Sequence, residues 1–142
     1  MLQIYLSGAI RGGRELQPTY ERIYGYLDRN GVSVLAHHVA AENVLEIENS
    51  TSEKEIFVQD IQWLNQCDGV VAEVSIPSLG VGYEISYALE TLKKPVLALY
   101  REDLGPISVM ILGNISSLLT ISPYRHEEDL LFEIKQFINS LF

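Results

Sequence analysis

Two short apolar runs, at positions 69–74 and 95–100, constrain the fold of this chain more than any other feature, although Glu73 interrupts the first. Runs of this length, bounded by turn-forming residues, are typical of central strands that are buried on both faces of a parallel sheet. Shorter apolar segments at 3–6, 32–35 and 117–121 predict three further strands. Since parallel strands cannot be joined by a tight turn, we expect a helix in the connections between them.

Segments of helical periodicity lie where such a sheet requires them. Spaced apolar residues predict helices over 14–30, 56–66, 79–92, 106–113 and 127–141, and Gly31 is expected to end the first. Residues 40–54 lack strong periodicity and predict a polar loop with at most a short helical turn. The 142 residues contain no linker or repeat. We therefore expect one α/β domain over residues 1–142, a three-layer, doubly wound sheet of five parallel strands.

The net charge limits the kinds of partner that the chain can bind. The formal net charge is −9, and only residues 1–41 have a positive balance, of +1. This charge argues against nucleic-acid polymers and anionic membrane surfaces, because binding to either depends on basic residues that neutralise phosphates. The acidic segment 42–55, with a net charge of −4, is interpreted as solvated surface.

Cysteine and histidine usage gives no sign of a disulfide or a metal site. Cys67 is the only cysteine. The three histidines (His37, His38 and His126) lack zinc-ligand spacing, and no metal or other cofactor is expected. The N-terminal segment does not resemble a signal peptide, and no apolar run reaches the roughly 18–20 residues that span a bilayer. These observations predict a soluble protein of the reducing cytoplasm.

Three loops are expected at the carboxyl ends of strands, where open α/β sheets bind ligands: residues 7–14, 75–84 and 105–108. The first of them, S-G-A-I-R-G-G-R, contains neither G-x-G-x-x-G nor a P-loop motif. Its glycines, its two arginines and the helix start that follows would nevertheless suit a phosphate group. From spacing alone, phosphate binding and an ordinary strand-to-helix turn with surface arginines are equally well supported.

Two carboxylates near these loops are candidates for chemistry. Ser78 is a candidate helix cap, and Glu84 is expected in the first turn of the helix that follows it. An acid in a first turn also interacts favourably with the helix dipole, so structural and functional interpretations of Glu84 are evenly supported. Asp60 taken alone is more typical of a solvent-facing helical acid. Beside an anion site, two carboxylates would suit glycosidic bond cleavage, in which one attacks the anomeric carbon and the other transfers protons.

Four segments together resemble a known family. They are Y-L-S-G-A-I-R-G-G-R at 5–14, F-V-Q-D-I-Q-W-L at 57–64, V-V-A-E-V-S-I-P-S-L-G-V-G-Y-E at 70–84 and S-V-M-I-L-G at 108–113. In this order they resemble the 2'-deoxynucleoside 5'-phosphate N-hydrolases of the nucleoside 2-deoxyribosyltransferase superfamily. The resemblance implies a flavodoxin-like or Rossmann-like fold and a homodimer. It also implies hydrolysis of the N-glycosidic bond of a 2'-deoxynucleoside 5'-monophosphate.

The same resemblance implies the residues of the site. Glu84 matches the nucleophile that forms a glycosyl-enzyme intermediate, and Tyr5 matches a tyrosine beside it. Asp60 matches the second essential carboxylate, which is either the proton donor or an orienting group. Ser108 matches a serine that completes the site of the partner in the dimer. The residues expected to bind substrate are Ser7, Gly8, Ala9, Ile10, Arg11, Gly12, Gly13, Arg14, His38, Ser78, Gly80, Ser108, Val109 and Met110.

Several positions depart from the family's pattern and leave the preferred base open. Phe57 and Val58 replace a more polar pair, and Leu112 stands where a basic residue is common. His37 stands where an acid is common.

Two further questions stay open at the level of the sequence. Glu73 is interpreted equally well as a third site acid or as a structural residue. The alternative functions are a nucleoside 2-deoxyribosyltransferase, a ribonucleotide (CMP-type) N-glycosidase and a non-catalytic nucleotide-sensing module.

Overall fold

A five-stranded sheet forms the centre of the computed structural model, which describes residues 1–142. Its order is β2-β1-β3-β4-β5, and every neighbouring pair is parallel. This is the 2-1-3-4-5 order of doubly wound, flavodoxin-like sheets, so the predicted fold class is confirmed. The strands are β1 (Gln3–Ser7), β2 (Ser33–Leu35), β3 (Gly69–Glu73), β4 (Val96–Arg101) and β5 (Leu119–Tyr124).

Helices occupy the connections and the C-terminal segment. They are α1 (Gln17–Arg29), α2 (Val44–Asn49), α3 (Glu53–Gln66), α4 (Leu79–Ser86), α5 (Val109–Leu112) and α6 (Glu127–Ser140). Short 3-10 turns form at His37–Ala40 and Glu102–Leu104, and a π-helical turn at Tyr87–Thr91 continues α4. None of the helices combines the length and the apolar character needed to cross a membrane.

Residues 40–54 contain more helix than the polar loop that their sequence predicts. Helix α2 lies within this segment, and α3 begins before residue 56, at Glu53. The Ser52 hydroxyl caps α3 by accepting a hydrogen bond from the Glu55 amide at 3.1 Å. In α2 the buried residues are Val44 and Glu48, whereas Leu45 and Ile47 are exposed. The apolar residues of α2 therefore do not follow the inward-facing stripe by which a helix is recognised in sequence.

Alternation along β1 decides on which face of the sheet the chemistry lies. Ile4 and Leu6 pack in a core with residues of α1 and α6. Tyr5 packs on the opposite face, in a core that includes Leu64 of α3 and Val81 of α4. Because residues two apart in a strand share a face, β1 directs Tyr5 and Ser7 toward the helices that carry Asp60 and Glu84.

Lys94 fixes the C-terminal end of α3. Its ammonium group donates hydrogen bonds to the carbonyls of Leu64 at 3.0 Å, Asn65 at 2.5 Å and Cys67 at 2.6 Å. A cation at a helix C-terminus also interacts favourably with the helix dipole. Helix α3 is thus held at both ends, which limits the movement of Asp60 in its middle.

Candidate active site

A cavity of about 820 Å³ opens beside the carboxyl ends of β1 and β3. The strand order reverses between these two strands, which is where doubly wound sheets place their ligands. The loop after β1, the turn after β2, α2, α3 and the start of α4 all contribute to its wall. The predicted residues that line it are Tyr5, Ser7, Gly8, Ile10, Arg11, Gly12, His38, Asp60, Ser78, Gly80 and Glu84.

Glu84 is held by two hydroxyl groups from β1. The Ser7 hydroxyl donates to Glu84 Oε1 at 3.1 Å, and the Tyr5 hydroxyl donates to Glu84 Oε2. Tyr5 and Ser7 are each 1% exposed, so neither donor is free to turn toward bulk water. Glu84 lies in the second turn of α4, not in the first turn as expected. A contribution from the helix dipole is weak at that distance, so the two hydroxyl groups explain its placement better.

Helix α4 begins where its cap places it. The Ser78 hydroxyl accepts a hydrogen bond from the Val81 amide at 3.2 Å, as predicted for an N-cap. This cap fixes the start of the helix at Leu79 and thereby the position of Glu84 along it. Ser78 also lines the cavity, so one residue shapes the helix and faces the ligand space.

The surroundings of Glu84 favour its protonated form. Burial is the largest effect and raises the pKa of Glu84 to about 7, with a further increase from the charge of Asp60. The hydrogen bonds from Tyr5 and Ser7 oppose that increase. Burial and the nearby carboxylates raise the pKa of Tyr5 far above its ordinary value, so its phenol stays protonated and remains a donor.

Asp60 faces the same cavity from the middle of α3. It is only partly exposed, which corrects the expectation that the residue taken alone would be a solvent-facing acid. Burial raises the pKa of Asp60 to about 6, and the charge of Glu48 adds to that increase. Two carboxylates with pKa values near neutrality in one cavity are typical of proton-transfer and nucleophilic sites.

The loop after β1 approaches the start of α4 very closely. A Cβ atom added at Gly12 would lie 2.6 Å from the backbone oxygen of Pro77, so only glycine fits without a shift. The Arg11 side chain is 61% exposed at this junction. Gly8, Gly12, Ser78 and Gly80 all line the adjoining part of the cavity, which therefore presents backbone and hydroxyl groups beside a cation.

Arg14, in contrast, does not line the cavity. Its guanidinium donates to the backbone carbonyls of Ala9 at 3.0 Å, Val39 at 2.7 Å and Ala41 at 2.8 Å. These bonds tie the loop after β1 to the turn after β2, so the structure gives Arg14 a role in holding the loop, and its contact with substrate stays a prediction. Ala9 and Gly13 also lie outside the cavity wall.

Ser108, Val109 and Met110 do not meet Glu84 within the chain. Ser108 and Met110 line a second cavity, of about 440 Å³, which is bordered by the Pro77–Ser78 segment. The Ser108 hydroxyl caps α5 by accepting from the Met110 amide at 3.2 Å. Val109 and Met110 are each 78% exposed. In a single copy of the chain these residues are not part of the main cavity.

Glu48 is a cavity residue that the sequence reasoning missed. Its carboxylate is 8% exposed and contacts Arg11 and His38, each at 3.4 Å. The only signal in the sequence was the acidic stretch 42–55, which is interpreted above as solvated surface. One buried acid among several exposed ones leaves no recognisable pattern, so a contact of this kind emerges only from the fold.

Other polar residues have structural partners. The Glu73 carboxylate accepts hydrogen bonds from the Ser75 amide at 2.6 Å, the Ser75 hydroxyl at 3.0 Å and the Tyr124 hydroxyl. It is fully buried and lies outside the main cavity, which favours its structural interpretation. No group of three or more histidine, cysteine or acidic side chains is arranged to hold a metal ion.

Sequence comparisons identify related proteins. Residues 4–120 match the family model described as nucleoside 2-deoxyribosyltransferase. A protein of Methanosarcina mazei, assigned by name to the 2'-deoxynucleoside 5'-phosphate N-hydrolases, is 44% identical over 97% of this chain and 84% of its own length. The 5-hydroxymethyl-dUMP N-hydrolase of Rattus norvegicus is 48% identical over 78% of this chain and 68% of its own length.

Solved structures share the architecture at low sequence identity. The CMP N-glycosidase of Clostridium botulinum superimposes with a TM-score of 0.68 at 19% identity, covering 94% of this chain and 98% of its own. A 2-deoxyribosyltransferase of Leishmania mexicana gives a TM-score of 0.62 at 15% identity, covering 98% of both chains. At these identities the likeness establishes the common fold.

Proposed function

This chain belongs to the nucleoside 2-deoxyribosyltransferase family, and we propose that it hydrolyses the N-glycosidic bond of 2'-deoxynucleoside 5'-monophosphates. The products are a free nucleobase and 2-deoxyribose 5-phosphate. One observation carries this proposal: the Glu84 carboxylate, held by Tyr5 and Ser7, faces the same cavity as Arg11 and its glycine-rich loop. A carboxylate can attack an anomeric carbon without the help of a cofactor.

In the first step, Glu84 is the nucleophile. One of its oxygens forms a bond to the anomeric carbon of the sugar, and the bond from that carbon to the base nitrogen breaks. The base leaves with the electron pair and takes a proton from the Asp60 carboxyl group. The Tyr5 and Ser7 hydrogen bonds hold the Glu84 carboxylate in one orientation, which reduces the entropy lost on reaching the transition state.

In the second step, water releases the sugar. The water oxygen bonds to the anomeric carbon, and its proton passes to Asp60. The bond between that carbon and Glu84 breaks, which restores both carboxyl groups. A deoxyribose lacks the electron-withdrawing 2'-hydroxyl, so its oxocarbenium-like transition state forms more readily than that of a ribose. Exchange of acid and base roles at one residue follows the pattern of retaining glycosidases.

The loop around Arg11 supports a phosphorylated substrate. An arginine beside backbone amides suits a phosphate, and binding energy from this remote group can orient the sugar over Glu84. A deoxyribosyltransferase acting on nucleosides would have no phosphate to place there.

The remaining parts of the proposal concern the whole protein. We infer one functional domain over residues 1–142, acting in the cytoplasm as a homodimer in which Ser108 of each copy completes the site of the other. Support for the dimer is the exposure of Val109 and Met110, which flank the Ser108 cap and give α5 an apolar outer surface. Large exposed apolar residues in one place are typical of interfaces.

A release assay tests the activity. The purified protein is incubated with each deoxynucleoside monophosphate, and free base is followed by chromatography. We expect release from the monophosphates, and a loss of at least about a thousandfold in Glu84→Gln because the nucleophile is gone. Glu90→Gln is the matched control, since Glu90 is 65% exposed beyond the C-terminal end of α4.

The same assay separates the alternatives. Release only from unphosphorylated deoxynucleosides, or only with an added acceptor base, would identify a transferase. Release from CMP without release from dCMP would identify a ribonucleotide glycosidase. No turnover of any nucleotide would indicate a non-catalytic nucleotide-sensing module. Full activity of Glu84→Gln would show that the nucleophile is wrongly assigned.

A further inference from the structure

Glu48 is a nearly buried acid at the main cavity to which the proposed reaction gives no role. Its side chain is 8% exposed and lines the cavity, whereas Glu46 on the same helix is exposed. Burying a carboxylate without partners costs several kcal/mol. The groups that compensate for this cost therefore indicate what Glu48 does.

The two oxygens of Glu48 have different partners. Oε1 lies 3.4 Å from Arg11 Nη2, and Oε2 lies 3.4 Å from His38 Nε2. Arg11 belongs to the loop after β1, and His38 to the turn after β2. One carboxylate thus connects two segments that reach the cavity from neighbouring strands.

Both partners face the ligand space. Arg11 lies beside the glycines and Ser78, where the proposed function places the phosphate. His38 lies against Trp63 of α3, with ring centroids 5.8 Å apart, on the helix that carries Asp60. A shift of Glu48 would therefore move groups at two separate places in the cavity.

We propose that Glu48 is a positioning residue for the N-glycosidase reaction. Its carboxylate orients the Arg11 guanidinium for contact with the substrate phosphate, and it orients the His38 imidazole at the α3 side of the cavity. This inference rests on the proposed function. Its geometric basis is the pair of contacts from one nearly buried carboxylate, 3.4 Å to Arg11 and 3.4 Å to His38.

His38 reports directly on this contact. Burial lowers the pKa of His38, and Glu48 opposes that effect through its charge and its hydrogen bond. The other charged groups that act on the imidazole are His37 and Arg14, and both lower its pKa. Removing the Glu48 charge should therefore lower the pKa of His38 further, whether or not substrate is present.

The test compares Glu48→Gln with Glu46→Gln. Glutamine keeps the shape of Glu48 and removes its charge, while Glu46→Gln makes the same charge change at an exposed position of α2. In Glu48→Gln we expect KM for a deoxynucleoside monophosphate to rise about tenfold with kcat changed less than about threefold. The pKa of His38, measured by NMR of its imidazole, should fall below its wild-type value, because the charge of Glu48 raises it. Glu46→Gln should match the wild type in all three.

Each contrary outcome is distinct. An unchanged pKa of His38 in Glu48→Gln would overturn the proposal. A lower KM would also overturn it, because Glu48 would then compete with the phosphate for Arg11. A lower melting temperature with unchanged KM and unchanged His38 titration would show a merely structural residue. If the wild type releases no base from any monophosphate, the proposed function fails, and the His38 titration still decides whether Glu48 controls that side chain.

Discussion

Glu84 combines two requirements that oppose each other. A nucleophile must be ionised, yet burial raises its pKa to about 7 and that of Asp60 to about 6. Burial thus favours the protonated form of both carboxyl groups. The proposed reaction needs one of each form, with Glu84 ionised and Asp60 protonated. The pair should titrate as a unit with macroscopic pKa values.

The raised pKa of Glu84 predicts a cost in stability that depends on pH. The folded protein binds this proton more tightly than the unfolded chain, whose carboxyl has a pKa near 4.5. The cost is absent below that value, grows as the pH rises, and is complete above about 7. Glu84→Gln removes the charge. We expect it to raise the free energy of unfolding by about 2 kcal/mol at pH 8 and to have little effect at pH 4.5.

Urea unfolding at the two pH values checks this expectation. The matched control is Glu90→Gln, an exposed position that should change the free energy of unfolding by less than about 0.5 kcal/mol at both. An equal effect of Glu84→Gln at pH 4.5 and pH 8 would show that it changes packing or hydrogen bonding and not a buried charge. A loss of stability at pH 8 would contradict the burial argument itself.

Among the elements, two loops jointly build the phosphate end of the cavity, which is the end where the proposed function places the substrate phosphate. The loop after β1 meets the loop after β3 where Gly12 lies against the Pro77 backbone. Arg14 then ties the first loop to the turn after β2 through three carbonyls. The phosphate end is thus a junction of three strand ends, and its geometry depends on contacts between segments that are distant in sequence.

Gly12→Ala should disturb this junction specifically. The φ angle of Gly12 lies outside the left-handed region, so the backbone accepts alanine and the obstacle is the contact of 2.6 Å with the Pro77 oxygen. Displacing the loop by even part of an ångström should lower kcat/KM for a monophosphate by about 10- to 100-fold. The measurement is steady-state kinetics of base release.

Gly25→Ala is the control for the Gly12 variant. Its added Cβ would meet only the flexible end of Arg29, at 3.1 Å, within the helix α1. It should leave kcat/KM unchanged and stabilise the protein by up to about 1 kcal/mol, because alanine favours helix. Equal kinetics for Gly12→Ala and the wild type would show that the two loops adjust without consequence for the site.

The same elements show how far the sequence predicts the structure. Strands β3 and β4 were predictable because strands buried on both faces are largely apolar, and Gly31, with φ of 75°, follows α1 as expected. Helix α2 was not predictable from the sequence, because its apolar side chains Leu45 and Ile47 are exposed and one of its two buried residues is the acid Glu48. The placement of Arg14 and Glu48 depends on contacts across loops, which no local pattern encodes.

At the scale of the whole molecule, the acidic character and the proposed substrate are compatible. The net charge of −9 is spread over a surface on which Arg11 is a local cation at the cavity. A single phosphate needs only such a local site, unlike a polymer. The proposed dimer extends this logic, because Ser108 lies away from Glu84 of its own chain and is free to approach that of another.

Mixing two inactive variants tests the composite site. Glu84→Gln removes the nucleophile, and Ser108→Asp keeps a capping side chain on α5 while it adds a negative charge to a site that has to bind an anionic substrate. In an equimolar mixture after subunit exchange, half of the dimers are mixed, and each of these contains one site with both native residues. We expect recovery of about a quarter of wild-type activity, since each site contains residues of both subunits.

Sedimentation should show a dimer for each variant. No recovery in mixed dimers, or a monomer by sedimentation, would contradict the shared site, because both residues would then have to act within one chain.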